Sequence, residues 1–267
     1  MYTGDIITAA IFAFIIAVIS YKIKFLSKSG SAAVFLLALE IYSIGTWKWT
    51  IPILTFFILS SILSIARLKK NENIEKYFEK SGVRDAAQVF ANGGLAAVFA
   101  AIYFFDENEV FYFLYLGTIA AVCADTWGTE LGTIVKTKTF NIINFNKIEQ
   151  GQSGGVSLLG LTGSIAGALV IALTGIFWIR SYYFPSVFSV VIISGFSASL
   201  VDSILGASLQ CQYRCGKCGR IIENKRHCGS DAIYFRGIRW MGNDTVNFIT
   251  SIAGGFFTAF LYKAIIQ

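Results

Sequence analysis

The sequence predicts an all-α fold, a membrane-spanning bundle of about eight transmembrane helices with both chain termini outside. Three observations predict it. Of the 267 residues, 55% are hydrophobic and only 14% are charged, the mean hydropathy is +0.63, and apolar segments recur along the whole length. A soluble domain of this size could not bury so much apolar surface. The chain is therefore expected to be a polytopic integral membrane protein whose first partner is the lipid bilayer.

Eight apolar segments have the length of roughly 17–25 residues that a helix needs to cross a hydrocarbon core. The first is interpreted as a retained helix and not as a cleaved signal, because its basic residues follow the apolar run instead of preceding it. The chain contains only two prolines and no Pro- or Ser-rich linker, so residues 1–267 are predicted to form a single transmembrane domain. The predicted segments are 4–20, 31–46, 49–66, 88–105, 109–127, 156–178, 186–206 and 243–262.

The connections between these segments orient them. Of the 22 Lys and Arg residues, 19 lie in the connections 21–30, 67–87, 128–155 and 207–242. Basic residues accumulate on the cytoplasmic side of membrane proteins, so a multi-pass protein of the cell membrane with these connections in the cytoplasm is predicted. The net charge of +6 is then explained by anionic lipid headgroups, and no nucleic-acid partner is expected. Residues 66–87 are expected to form an amphipathic cytoplasmic segment, with a solvated connector as the alternative for its first half.

Four carboxylates lie at the predicted cytoplasmic ends of the later segments, and ionisable residues at such positions mark a site by default. Asp125, Glu130, Asp202 and Asp244 would face one small volume if the fifth, seventh and eighth segments adjoin. Unpaired carboxylates repel one another, so a cation is the natural partner, and oxygen ligands without imidazole favour Mg²⁺. Asp125 and Glu130 point to different sides of one helix, so one of them is expected to be a supporting or packing residue.

A glycine stretch, "GQSGGVSLLG" from Gly151 to Gly160, precedes the sixth segment. Small residues at a spacing of four most often pack membrane helices together. Gly154, Gly155 and Ser157, however, lie before the helix, where free backbone N–H groups and the positive end of the helix dipole can bind phosphate. Packing and phosphate binding both remain open, and the position before the helix favours phosphate.

Four of the five cysteines lie in the connection 207–242, which is predicted to be a cytoplasmic Cys-rich loop. Cys215 and Cys218 have the spacing of half a zinc knuckle, and Cys228 with either His227 or Cys211 would complete four ligands. A disulfide is not expected in the cytoplasm. A structural Zn²⁺ and free thiols are the two interpretations.

The motifs "KSGVRDAAQVFANGG", "ADTWGTELG", "GQSGGVSLLGLTG", "VDSILGASLQ", the Cys-x-x-Cys with its downstream His-Cys, and "NDTVNF" occur in this order along the chain. Together they resemble the transmembrane-protein-nineteen family, whose plant chloroplast members include phytyl phosphate kinase. The resemblance covers nearly the whole chain. It implies a kinase that transfers the γ-phosphoryl group of a nucleoside triphosphate, CTP being favoured, to an isoprenoid monophosphate to give the diphosphate.

The resemblance also implies roles for individual residues. The metal ligands for Mg²⁺ would be Asp125, Asp202 and Asp244, with Glu130 assisting. The groups that bind or orient phosphate, nucleotide or metal-bound water would be Lys80, Arg84, Asn92, Gly154, Gly155, Ser157, Asn243 and Asn247. A phosphate monoester has a second pKa of about 6, so it is largely dianionic at neutral pH and needs no general base.

Two alternatives come from other activities. A CTP-dependent polyprenol kinase would act on the alcohol and would need one of the carboxylates as a base. A transporter for a cation or small metabolite would also contain inward-facing Asp residues and glycine-interrupted helices. Transport predicts polar groups near the bilayer midplane and on both sides, whereas the polar clusters of this sequence fall at one face, which favours the enzyme.

Overall fold

The computed structural model describes residues 6–71, 82–179 and 184–265. Six of the helices in these ranges are long and apolar enough to cross a membrane, and α1, with 17 residues, is shorter. The predicted all-α membrane class is confirmed. The helices are α1 (Ile6–Lys22), α2 (Lys28–Lys70), α3 (Ala86–Phe105), α4 (Glu109–Ile134), α5 (Leu158–Ile176), α6 (Phe184–Ser208) and α7 (Asn243–Ile265).

The longest helix, α2, is folded back on itself at Thr46, whose φ of 49° and ψ of −137° are not helical. Leu37 and Ile53 lie on either side of this bend, yet a Cβ atom placed on Gly93 would be 3.0 Å and 3.5 Å from their Cδ1 atoms. In a straight helix these two residues would be about 24 Å apart along the axis. The halves 28–45 and 47–70 therefore lie side by side, at the positions of the second and third predicted segments.

The central helix of the bundle is α4, which packs against α2, α3, α5, α6 and α7, while α1 packs against α2. Its contact with α5 is made by small residues. A Cβ atom on Gly163 would lie 2.6 Å from the Trp127 carbonyl oxygen, and one on Gly167 would lie 2.7 Å from that of Cys123. These two glycines, four residues apart, allow close packing of α5 on α4.

The outer surface of the bundle carries large exposed apolar side chains, among them Ile11, Phe14, Ile62, Phe256 and Phe260. Exposure of so many large apolar side chains is unfavourable in water and favourable in lipid. The chain is thus a multi-pass membrane protein.

Short strands occur in the two connections that flank α5 and α6. The first connection contains β1 (Thr139–Asn141), β2 (Lys147–Ile148) and β3 (Gly155–Val156), which form an antiparallel sheet in the order β2-β1-β3. The second contains β4 (Gln212–Arg214), β5 (Ile221–Ile222), β6 (Arg226–His227), β7 (Ser230–Asp231) and β8 (Ile233–Arg236), with sheets β5-β4-β8 and β6-β7. These strands fold the connections without changing the helical class.

Both connections lie at the same end of the bundle as the segment that precedes α3. Arg84 donates its backbone N–H to Phe25, just after α1, and its side chain to Ser61 in the second half of α2. This end is opposite the bend at Thr46, and we call it the loop end. The predicted amphipathic segment 66–87 is covered in part: α2 continues to Lys70 and α3 begins at Ala86, while residues 72–81 lie outside the described ranges.

Candidate functional site

A polar cavity of about 210 Å³ lies at the loop end. Its wall is formed by side chains from α2 to α7 and from both strand-containing connections. The predicted site residues that line it are Arg84, Asn92, Asp125, Glu130, Gly154, Gly155, Ser157, Asp202, Asn243 and Asn247. Asp244, in the first turn of α7, is not among its lining residues, and Lys80 lies outside the described ranges.

Asp125 on α4 and Asp202 on α6 face each other in this cavity. Their carboxyl groups are within side-chain hydrogen-bonding reach, and the Thr250 hydroxyl donates to Oδ2 of Asp202 over 2.8 Å. Two carboxylates this close repel each other unless a proton or a cation lies between them. The pair matches the donor set of Mg²⁺, which usually takes one or two carboxylates together with water and substrate phosphates.

Glu130, also on α4, is held differently. Its Oε1 accepts a hydrogen bond from Ser64 over 2.6 Å, and its Oε2 accepts one from Nε of Arg67 over 2.5 Å. The side chains of Arg67 and Glu130 are 4% and 10% exposed. Both oxygens of Glu130 therefore accept hydrogen bonds from α2, Oε2 within a buried ion pair and Oε1 from a serine, and these contacts hold α2 against α4. This arrangement suits the supporting role that the sequence predicted for one residue of the Asp125 and Glu130 pair.

A further carboxylate, which the sequence analysis missed, comes from the Cys-rich loop. Glu223 follows β5 and lines the cavity, where its negative charge acts on Asp125. The Ser153 hydroxyl donates to Oε1 of Glu223 over 2.6 Å, which joins this loop to the glycine stretch. A carboxylate in a loop has no periodicity that could have marked it, and only the fold brings it to Asp125.

The glycine stretch combines close packing with a position at the cavity. Gly154 has a φ of +79°, and a Cβ atom on it would lie 2.4 Å from the Cα atom of Ala207 on α6. No larger residue fits there. Ser157 is the N-cap of α5, and its Oγ accepts the Gly160 backbone N–H over 3.1 Å. Both Ser157 and Gly160 line the cavity, so the positive end of the α5 dipole faces it, as binding of an anion requires.

A second cavity of about 80 Å³ lies between α1, the two halves of α2, and α3. It shares Arg84, Gln88 and Asn92 with the polar cavity, so these three side chains form the junction of the two spaces. Desolvation lowers the pKa of the Arg84 guanidinium, and the negative charge of Glu130 opposes this effect. Apart from the three junction residues and Thr50, the lining is apolar: Phe12, Ile16, Val34, Leu37, Ala38, Ile41, Ile53, Leu54, Phe56, Phe57, Val89 and Gly93.

The Cys-rich loop brings Cys215, Cys218, His227 and Cys228 together, with one ligand atom of each within 4.8 Å of all the others. Hydrogen bonds from the Cys218 backbone N–H and from His227 lower the pKa of the Cys215 thiol to about 6. Cys211, which the sequence left as an alternative ligand, is buried and is not part of this cluster. Within the described ranges, this is the group of three or more His, Cys, Asp or Glu residues whose ligand atoms lie close enough together to hold one metal ion.

Comparison with known protein families assigns the chain to one of them. Residues 11–255 match the family described as integral membrane protein DUF92. The chain belongs to this family. The matched range contains all residues that line the polar cavity, so the cavity lies within the part that defines the DUF92 family. No solved structure matches the chain.

Several curated proteins are similar to this DUF92 member. Protein PGR of Arabidopsis thaliana is 29% identical over 93% of this chain and 96% of its own length. An uncharacterized membrane protein of Methanocaldococcus jannaschii, MJ0933, is 28% identical over 81% of this chain and 77% of its own length. Protein VTE6, a chloroplastic protein of Arabidopsis thaliana, is 23% identical over 91% of this chain and 67% of its own length.

Proposed function

We propose that this DUF92 member is a membrane isoprenoid-phosphate kinase that transfers the γ-phosphoryl group of a nucleoside triphosphate, CTP being favoured, to a phytyl or geranylgeranyl monophosphate. One observation carries the proposal: the polar cavity with its carboxylate pair lies next to the apolar cavity, and both are lined by Arg84, Gln88 and Asn92. The resemblance to a family whose plant chloroplast members include phytyl phosphate kinase supports the same reaction. A chloroplastic plant protein is also among the matched relatives.

The acceptor in this reaction carries a charged phosphate on a long hydrocarbon tail, and the two cavities suit its two parts. The apolar cavity would hold the first part of the tail between α1, α2 and α3, where transfer from water stabilises each buried CH₂ group by about 0.8 kcal/mol. The phosphate would lie at the junction, within reach of the Arg84 guanidinium. An Arg is suited to this place because its planar group donates two hydrogen bonds to a phosphate at once.

The nucleotide phosphates would occupy the polar cavity, close to the first turn of α5 and to Asn243 and Asn247 on α7. Asp125 and Asp202 would hold Mg²⁺, whose charge would neutralise the phosphate oxygens of the nucleotide. Asn92 would orient the acceptor phosphate or a metal-bound water. Arg67 already compensates the charge of Glu130, so Glu130 would keep the α2 and α4 walls of the cavity in place.

The chemical step needs no base from the protein. An oxygen of the dianionic acceptor phosphate forms a bond to the γ-phosphorus, and the bond from that phosphorus to the bridging oxygen of the β-phosphate breaks. The products are the prenyl diphosphate and a nucleoside diphosphate, and no proton is transferred. Phosphoryl transfer depends mainly on positioning and on charge neutralisation, which carboxylate-bound metal, a helix N-terminus and Arg84 can supply.

The basic residues of the loop-end connections favour placing this end, and the active site with it, on the cytoplasmic face of the cell membrane. An assay for transfer of the labelled phosphoryl group from CTP to each of two acceptors, offered one at a time, tests the proposal. Purified protein in detergent with Mg²⁺ and γ-labelled CTP would be given geranylgeranyl monophosphate or geranylgeraniol separately. The expected result is labelled diphosphate from the monophosphate alone.

Variants inside and outside the cavity test whether transfer of the label takes place at the polar cavity. Asp125→Asn and Asp202→Asn should each abolish transfer while the protein remains folded and inserted, whereas Asp106→Asn, at the opposite end of the bundle, should retain it. Label from the alcohol alone would replace the proposal with a polyprenol kinase. Absence of transfer to either acceptor with several nucleotides would refute kinase activity and favour a transporter. Full activity in both cavity variants would refute the metal site.

A further inference from the structure

We propose that Cys215, Cys218, His227 and Cys228 bind one structural Zn²⁺ ion, and that this ion holds the Cys-rich loop over the polar cavity with Glu223 at its wall. This inference does not depend on the reaction proposed above. It follows from the ligand geometry, from the local backbone, and from the contacts that join the loop to the cavity.

The ligand geometry fits a tetrahedral ion. Nδ1 of His227 lies 3.4 Å from the Cys218 sulfur and 3.1 Å from the Cys228 sulfur. With Zn–S bonds of about 2.3 Å and Zn–N bonds of about 2.0 Å, tetrahedral ligand atoms are separated by about 3.5–3.8 Å, so a small adjustment would accommodate the ion. Three thiolates and one imidazole form a common structural zinc set, because soft sulfur ligands favour Zn²⁺ over Mg²⁺ or Ca²⁺.

The backbone presents the four ligands on two tight turns. In the first, between β4 and β5, the Gly219 N–H donates to the Cys215 carbonyl over 2.9 Å, and the Cys215 N–H donates to the Arg220 carbonyl over 2.9 Å. In the second, between β6 and β7, Cys228 and Gly229 both have positive φ values, 52° and 71°. Two consecutive positive values are typical of a type I′ hairpin turn, in which Asn, Asp and Gly are the common residues. A cysteine is rare there, which is consistent with a function of its side chain as a ligand.

The part of the loop that carries the four ligands has only short strands. Its strands β5, β6 and β7 contain two residues each, and pairs this short are not stable alone in water. A metal ion bound by the four ligands would join the two turns that carry them.

The loop contacts the cavity through residues other than the four ligands. Ile222 of β5 is 2% exposed, and the next residue, Glu223, accepts the Ser153 hydroxyl and lines the cavity. Gln212 of β4 donates to the Gly206 carbonyl at the end of α6 over 2.8 Å. An ion that fixes β4 against the β6-β7 hairpin therefore also fixes the position of Glu223 relative to Asp125.

Metal content of the purified full-length protein tests the zinc site. Elemental analysis should find about one zinc per chain, and the double variant Cys218→Ser, Cys228→Ser should lose it. Cys211→Ser and Cys123→Ser are the matched controls, since these cysteines lie outside the cluster, and both should keep the ion. Equal zinc in the double variant and in the wild type would refute the ligand assignment.

If the double variant does not fold, the wild-type protein alone can test the zinc site. A mercurial thiol reagent should release the zinc from it, and Co²⁺ exchanged into the site should show the absorption of tetrahedral thiolate coordination. Wild-type protein that contains no zinc and takes up neither Zn²⁺ nor Co²⁺ would overturn the proposal. Iron in place of zinc would overturn the choice of metal.

Limited trypsin digestion tests whether the ion fastens the loop. Cleavage at Arg214, Lys217, Arg220 and Lys225 should become at least about tenfold faster after zinc removal, because cleavage follows the population of the opened loop. Cleavage at Lys263, at the other end of the bundle, should not change. Equal digestion of the loop with and without zinc would refute the fastening role.

Discussion

Replacement of Glu130 by Gln tests the structural role of this carboxylate. The change keeps the shape of the side chain and a hydrogen bond with Ser64, which the Gln amide would now donate, but it removes the negative charge of Glu130 from beside the Arg67 guanidinium, which is 4% exposed. Removal of one partner of a buried ion pair costs about 3–5 kcal/mol of unfolding free energy. Because the Gln carbonyl can still accept from Arg67, we expect the lower half of that range, about 3–4 kcal/mol.

The assay is thermal unfolding in detergent at a fixed scan rate. At about 2–4 °C per kcal/mol, the midpoint should fall by roughly 6–16 °C. The double variant Arg67→Met, Glu130→Gln should be more stable than the sum of the two single changes, since no charge is then buried alone. Asp125→Asn is the contrasting change, because it relieves repulsion from Asp202 and should not lower the midpoint in the absence of divalent cations. A shift below about 4 °C for Glu130→Gln, or additive effects in the double variant, would refute the buried-pair argument.

Three further predictions test the neighbouring contacts. Ala38→Phe fills the apolar cavity and should raise the KM for geranylgeranyl monophosphate more than about tenfold, because displacement of two CH₂ groups costs about 1.6 kcal/mol. Leu36→Phe, on the exposed face of the same helix, should leave this KM unchanged. Steady-state kinetics of the two variants test this prediction. Arg84→Gln should raise the same KM by roughly 10- to 150-fold, as expected for loss of a charged hydrogen bond of about 1.5–3 kcal/mol, and an unchanged KM would exclude Arg84 from the phosphate site. Gly154→Ala should lower the thermal midpoint by several degrees, because its Cβ would collide with the Ala207 backbone; an unshifted midpoint would show that the loop can move away.

The helices were predictable from the sequence because a membrane span is a composition signal. The predicted segment 88–105 and the helix Ala86–Phe105 differ by two residues at one end, and the predicted start at residue 243 is that of α7. The bend at Thr46 was expected only as a gap between two apolar runs. Its conformation depends on tertiary contacts: Lys48 pairs with Glu109 over 2.7 Å, and Tyr115 donates to the Trp49 carbonyl.

The candidate site was predictable where a polar residue interrupts an apolar run, as Asp125 and Asp202 do. Partners that lie far along the chain were not predictable. Arg67 looked like one of many basic residues in a cytoplasmic connection, yet it pairs with Glu130, which is 63 residues away in sequence. Glu223 gave no signal at all, since its place at the cavity depends on how the Cys-rich loop folds.

The two ends of the bundle differ in a way that bears on the choice between an enzyme and a transporter. At the loop end, carboxylates, amides and two arginines surround an open polar cavity. At the opposite end, Trp49, Tyr112 and Tyr115 are fully buried and pack ring to ring, with centroids 4.7–6.0 Å apart. An alternating-access transporter must open each end in turn around a site near the midplane. To do so, this chain would have to separate these three fully buried aromatic side chains, whereas an enzyme that receives both substrates at the loop end leaves them packed at the opposite end of the bundle.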